Sequence, residues 1–204
     1  VVYMNTILDA LTNAREGIIL VEYPSKGHPE LTFFEIVNRW RQKGITPLIV
    51  DIWDTLHIFI QNLKFEGKEL DISDVPVIKE RGVVKTGKLI GRVDVMEDFD
   101  YHLAAYGQLA RRVPEQSRNH TIVVGMEKFS FPFIDNPPKL ERYFERVTRR
   151  YLTIENRTNF LFLNTDIASE YLRKGLELDS DYVVKIDGRN VQLLKSPGVT
   201  ENGL

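Results

Sequence analysis

Residues 17–29 read Gly-Ile-Ile-Leu-Val-Glu-Tyr-Pro-Ser-Lys-Gly-His-Pro, an apolar run that breaks at a Pro/Ser/Gly turn and then enters a helical pattern. A strand buried on both faces, a short turn and a helix open an α/β unit, and phosphate-binding loops begin the same way. A working loop of the form G-x-x-x-x-G-K-[ST] cradles phosphate with backbone amides. Its Lys reaches the terminal phosphates and its hydroxyl holds magnesium. Over that pattern Glu22 falls at the first Gly, Gly27 at the second, His28 at the Lys and Pro29 at the Ser/Thr. His28 is shorter than Lys and, with a reference pKa of about 6.5, mostly neutral at pH 7. Pro29 brings neither hydroxyl nor amide, and Glu22 puts a negative charge at the mouth. Two readings stay open. One is a plain strand-to-helix turn with Pro29 at the helix start. The other is a weak, non-hydrolysing anion site in which Ser25 and Lys26 reach back over the ion.

Outward from this unit, strand and helix patterns alternate without repeats or a linker. A short first helix is expected over 5–14. Leu31, Phe34, Val37 and Trp40 fall at helical spacing, closed by Lys43-Gly44. Buried strands are expected over 46–52, 75–80, 121–126 and 159–163, and helices over 55–63 and 167–175. Residues 83–95 read as a hairpin turning near Thr86-Gly87. Phe99, Leu103, Tyr106, Ala110 and Val113 mark one helix face, and Pro137-Pro138 opens a helix striped by Leu140, Phe144, Val147 and Tyr151. Asp187-Gly188-Arg189-Asn190 joins two final strands as a hairpin. The alternation predicts one α/β domain over 1–204. Its sheet should be doubly wound and mainly parallel, with right-handed crossovers and a C-terminal antiparallel hairpin at one edge.

The 204 residues suffice for one sizeable core, and 43% hydrophobic with 27% charged residues is ordinary for a globular chain. A net charge of −2 supplies no bulk field for nucleic acid or anionic membrane. The absence of cysteine removes disulfides, zinc fingers and thiol nucleophiles. No apolar run approaches the ~20 residues that span a bilayer, and the first residues lack the pattern of a signal peptide. A cytoplasmic protein is expected. Residues 1–3 read either as a tag remnant or as ordinary sequence.

The order of elements resembles the RecA/KaiC superfamily. LVEYPSKGHPE (20–30) sits where the phosphate loop sits, FLFLNTD (160–166) is similar to the RecA strand ending in a sensor pair, and DYVVKIDGRNVQLLKSPG (181–198) resembles the KaiC-type ending. More closely, LVEYPSKGHPE, IVDIWDTL, VIKERG, VVGMEKF and LLKSPG together resemble the archaeal family called domain of unknown function 257, over nearly the whole chain. That resemblance implies a fold and not an activity. In KaiC-like ATPases acids near the end of the second strand activate the attacking water, and Asp54 falls close to one of them; Asp54 reads equally as the cap of the helix that follows. The resemblance also implies a magnesium-binding Asp where this chain has Gly125. Glu127, two residues on, is placed on the same face by strand alternation and is the possible substitute.

Lys79, Arg81, Lys85, Lys88 and Arg92 make the 79–92 region basic, without an aromatic residue for base stacking, so a solvated hairpin or the dock of an acidic partner are the alternatives. Phe129, Phe131 and Phe133 follow a strand end and read as a packed lid or a partner contact. His57, His102 and His120 show no ligand spacing, so no metal, cofactor or catalytic residue is assigned. The expected ligand-binding residues are Glu22, Ser25, Lys26, Gly27, His28, Asp54 and Glu127. Losing Lys, hydroxyl and Asp together argues against hydrolysis, since phosphoryl transfer depends on the positioning and charge those groups supply. The expectation is a non-hydrolysing binding or regulatory module whose partner is a protein, with weak anion or nucleotide binding as a secondary property. The alternatives are a nucleotide-using enzyme with a non-standard site, or a structural oligomer subunit, for which Tyr101-His102-Leu103-Ala104 is a weak pattern match.

Overall fold

The computed structural model describes residues 2–94, 97–151 and 154–198. Its first half runs α1 (Val2–Thr12), β1 (Gly17–Tyr23), α2 (Pro29–Gln42), β2 (Leu48–Ile52), α3 (Thr55–Phe65), β3 (Pro76–Glu80), β4 (Lys88–Val93) and α4 (Phe99–Ala110). The second half runs α5 (Glu115–Arg118), β5 (His120–Val124), α6 (Pro137–Tyr143), α7 (Arg149–Tyr151), β6 (Thr158–Asn164), α8 (Glu170–Asp179), β7 (Tyr182–Asp187) and β8 (Asn190–Lys195). The strands form one eight-stranded sheet in the order β4-β3-β2-β5-β6-β1-β7-β8. All neighbours are parallel except β7 and β8, which form the antiparallel edge hairpin.

Period-two alternation sorts β1 onto two cores. Ile19, Val21 and Tyr23 join Phe33, Ile36, Trp40, Leu56 and Phe59 on the α1–α3 side. Ile18 and Leu20 join Phe99, Tyr143, Phe144, Leu172 and Leu176 on the α4–α6–α8 side. Burying each such side chain contributes roughly 1.5–3 kcal/mol, so the turn after β1 grows from a strand packed on both faces. Pro29 starts α2, where its missing amide is not needed, and Glu30 lies in the positive first turn.

Several expectations are corrected. The buried face of α2 is Phe33, Ile36, Val37 and Trp40, while Leu31 and Phe34 are half-buried. Phe34 instead lies under Lys68 Nζ, 5.0 Å from its ring centre. Residues 83–95 are not a hairpin: after β3 the chain returns through 81–87 and β4 then runs parallel to β3. Five extended residues span about 17 Å, enough to retrace a strand as short as β3 without a helix. Lys79, expected in a solvated basic hairpin, is in β3 and only 2% exposed. Residue 1, Val95 and the side chain of Tyr151 lie outside the described residues. The stripe through α6 holds, although Phe144–Thr148 adopts a π-turn in which Thr148 Oγ1 donates to Phe144 O at 3.1 Å. Helix α8 begins later than expected, where Ser169 Oγ accepts from Leu172 N–H.

Candidate functional site

The turn after β1 is closed by the protein's own groups. Ser25 N–H donates to the Asp166 carboxylate at 2.7 Å, and Gly27 N–H donates to Pro24 O at 2.8 Å. Asn164 Nδ2 donates to Ser25 Oγ at 3.1 Å, so the hydroxyl is also engaged. Asp166 therefore occupies, as a tethered carboxylate, an amide that a phosphate would need. Gly27 O accepts from Gly188 N–H in the β7–β8 turn, which ties the turn to the edge hairpin. Lys26 is exposed.

His28 holds a left-handed backbone, with φ of 51° and ψ of 56°, and precedes Pro29. Its Nδ1 lies 2.8 Å from Glu30 Oε1 and 3.3 Å from Glu66 Oε1 at the end of α3. The hydrogen bond and charge of Glu30 push the imidazole up from its ordinary pKa. Burial, then the hydrogen bond and like charge of Glu30, push Glu66 up. One ligand atom from each of His28, Glu30 and Glu66 lies within 4.8 Å of the others. Sequence reasoning named His28 but not its partners. The His28-x-Glu30 spacing was legible, whereas Glu66 arrives from another helix and carried no local signal.

Beside this cluster, Tyr23 O–H donates to Glu127 Oε1 at 3.3 Å. Glu127 is 1% exposed and burial pushes its carboxyl up. The alternation that placed it on the face of Gly125 does not apply, because β5 ends at Val124 and Met126–Lys128 is a 3₁₀ turn. Nor does Gly125 have room for a side chain. Its φ is 87°, and a Cβ there would meet Ile52 O at 2.4 Å and Thr55 Oγ1 at 2.5 Å.

Asp54 stands at the start of α3 but makes no side-chain cap. That service comes from Asp51, whose Oδ1 accepts from Leu56 N–H at 3.0 Å. Asp54 instead accepts from Val83 and Val84 N–H, each at 2.9 Å, and from Lys79 Nζ at 2.7 Å. Burial raises its carboxyl, but these three hydrogen bonds outweigh it and hold the pKa below the ordinary value. Asp54 is thus the clasp of the 81–87 return. Gly82 makes the approach possible, since a Cβ there would meet Asp54 Oδ1 at 2.4 Å. Lys79 also bonds Asp51, at 2.6 Å.

Glu22 lies on the opposite face of β1 from Tyr23, under α8. Burial pushes its carboxyl up to about 7, aided by a hydrogen bond and like charge from Glu177 against Arg173 and Lys185. The phenylalanine loop divides. Phe129 and Phe133, read as a packed lid or as partner contacts, are core residues: Phe129 packs on Tyr143 at 4.7 Å between ring centres and Phe133 edge-on against Phe99 at 5.4 Å. Phe131 is exposed. A 3₁₀ turn over Phe131–Phe133, with a period near three, sends neighbouring rings to different sides. Exposed Trp53, Val83 and Ile167 likewise follow the carboxyl ends of β2, β3 and β6. Tyr101 is exposed, while His102 beside it is buried against Glu80 at 2.9 Å. That pair borders a cavity of about 420 Å³ behind the sheet, lined also by Val50, Leu103, Arg118 and Leu161.

Among the described residues no helix is long and apolar enough to cross a membrane. A protein from Pyrococcus horikoshii OT3, solved in a structural study, is similar in fold with a TM-score of 0.76 and 21% identity, over 98% of this chain and 94% of that one. At that identity the likeness shows the fold alone. No curated protein matches the chain. Each segment that builds the site lies within residues 10–199, the span matched by the family described as Pyrococcus protein of unknown function, DUF257, and the chain belongs to that family.

Proposed function

We propose that the chain is a non-hydrolysing binding module on a RecA/KaiC-like sheet, working in the cytoplasm and meeting a protein partner at the carboxyl ends of its parallel strands. The observation that carries this reading is the Asp166 carboxylate on the Ser25 amide. A phosphate entering the turn would have to displace a hydrogen-bonded anion that covalent linkage keeps in place, and would meet the further negative charge of Glu30 and Glu66. The steric exclusion of an acid from position 125 and the full engagement of Asp54 support it independently. Phe131, Trp53, Val83 and Ile167 are the apolar side chains available to a partner on this face. The strand order, with β6 between β1 and β5, supports the RecA/KaiC relationship.

Titration of sulfate or ATP against the backbone amides tests the reading. The wild-type amides of Ser25 and Gly27 are expected to show no saturable shift, and Asp166→Ala to gain a weak one at Ser25. A saturable wild-type shift at those amides contradicts the closed turn.

A further inference from the structure

We propose that His28, Glu30 and Glu66 form a binding site for one divalent transition-metal ion of the Zn²⁺ class, at the start of α2. Glu30 is the anchor. Its side chain is wholly buried, its carboxylate faces both other residues, and its Oε2 has no hydrogen-bond donor. A carboxylate oxygen withdrawn from water without a donor is costly, and a second carboxylate facing it adds repulsion. Within the cluster His28 donates, and Glu66 can do so toward Glu30 only by holding a proton. Lys68, over the Phe34 ring, adds positive charge near Glu66. A cation between the three groups neutralises the buried Glu30 carboxylate and removes the repulsion at once.

The spacing suits such an ion. With bonds of about 2.0–2.1 Å, neighbouring ligand atoms of a tetrahedral zinc shell lie roughly 3.3 Å apart. His28 Nδ1 stands 2.8 Å from Glu30 Oε1 and 3.3 Å from Glu66 Oε1. Any adjustment falls on His28 and Glu66, whose side chains are 60% and 28% exposed, while Glu30 stays fixed in the core. One imidazole nitrogen with two carboxylates matches a borderline ion, whereas Mg²⁺ and Ca²⁺ favour all-oxygen shells of six or more ligands. Two carboxylates also balance the charge of the dication. The exposed side of His28 leaves the remaining position to water, and binding displaces the proton that Nδ1 shares with the glutamates.

The full chain, stripped with a chelator and dialysed, is titrated calorimetrically with ZnCl₂. One ion per chain is expected, together with a visible absorption band on substitution by Co²⁺. Glu66→Gln tests the ligand set without touching the core, and His28→Asn does so with a residue that tolerates the left-handed backbone. Each should weaken binding by roughly tenfold or more, with melting temperatures matching wild type in chelator. Absence of saturable heat, binding that both variants leave unchanged, or equally tight binding of MgCl₂ would overturn the proposal.

Discussion

Glycine 125 shows how one residue constrains chemistry. The left-handed backbone and the approach of Ile52 O leave no space for the acid that the RecA/KaiC resemblance puts there. Gly125→Ala is therefore expected to lose about 1–3 kcal/mol in urea unfolding; unchanged stability would show that the space exists. Glu22 makes a second prediction. Its folded pKa of about 7 lies above the ordinary 4.5, so the folded chain keeps a proton that the unfolded chain has released. This contribution is fully present below about pH 4.5 and fades as pH rises through about 7, above which it is flat. Denaturation midpoints measured across that range should fall for wild type. Glu22→Gln should flatten the decline and be the more stable protein at pH 8. A parallel decline in both proteins would place the titrating group elsewhere.

At the scale of elements, legibility followed punctuation. Strand β1 was bounded by Gly17 and Pro24 and was apolar but for Glu22, and the β7–β8 turn carried Asp187-Gly188, so both were readable. Residues 83–95 were not, because glycine and alternating polarity suit a hairpin and a retraced return equally well. What decides between them is Asp54 holding two amides of the return from another strand end. The same limit hid Lys79, whose partners are fixed only by the pairing of β2 with β3. Rings of the phenylalanine loop, spaced by two in sequence, were sorted by a turn of period three. Phe133→Ala should cost roughly 3–5 kcal/mol, whereas Phe131→Ala should stay within about 0.5 kcal/mol of wild type. Thermal unfolding of the two variants checks this, and a reversed order would mean that Phe131 is the packed ring.

For the whole molecule, the sheet gathers the ends of β1, β2, β5 and β6 where α/β folds place ligands. What it gathers there is a tethered carboxylate on a turn amide, a clasped Asp54, a buried Tyr23–Glu127 pair and a glycine without room for an acid. The family and fold were readable because they rest on long apolar strands. The turn was legible because Pro24 to His28 are neighbours in sequence, whereas Glu66 and Asp166 are brought to it only by folding. The central claim is that this arrangement does not turn over nucleotide. The direct test is phosphate release from ATP and GTP with magnesium, comparing wild type with a chain carrying Asp54→Ala and Glu127→Gln and checked for folding. Release at the same background rate from both is predicted; magnesium-dependent turnover in wild type that the paired substitutions abolish would contradict it.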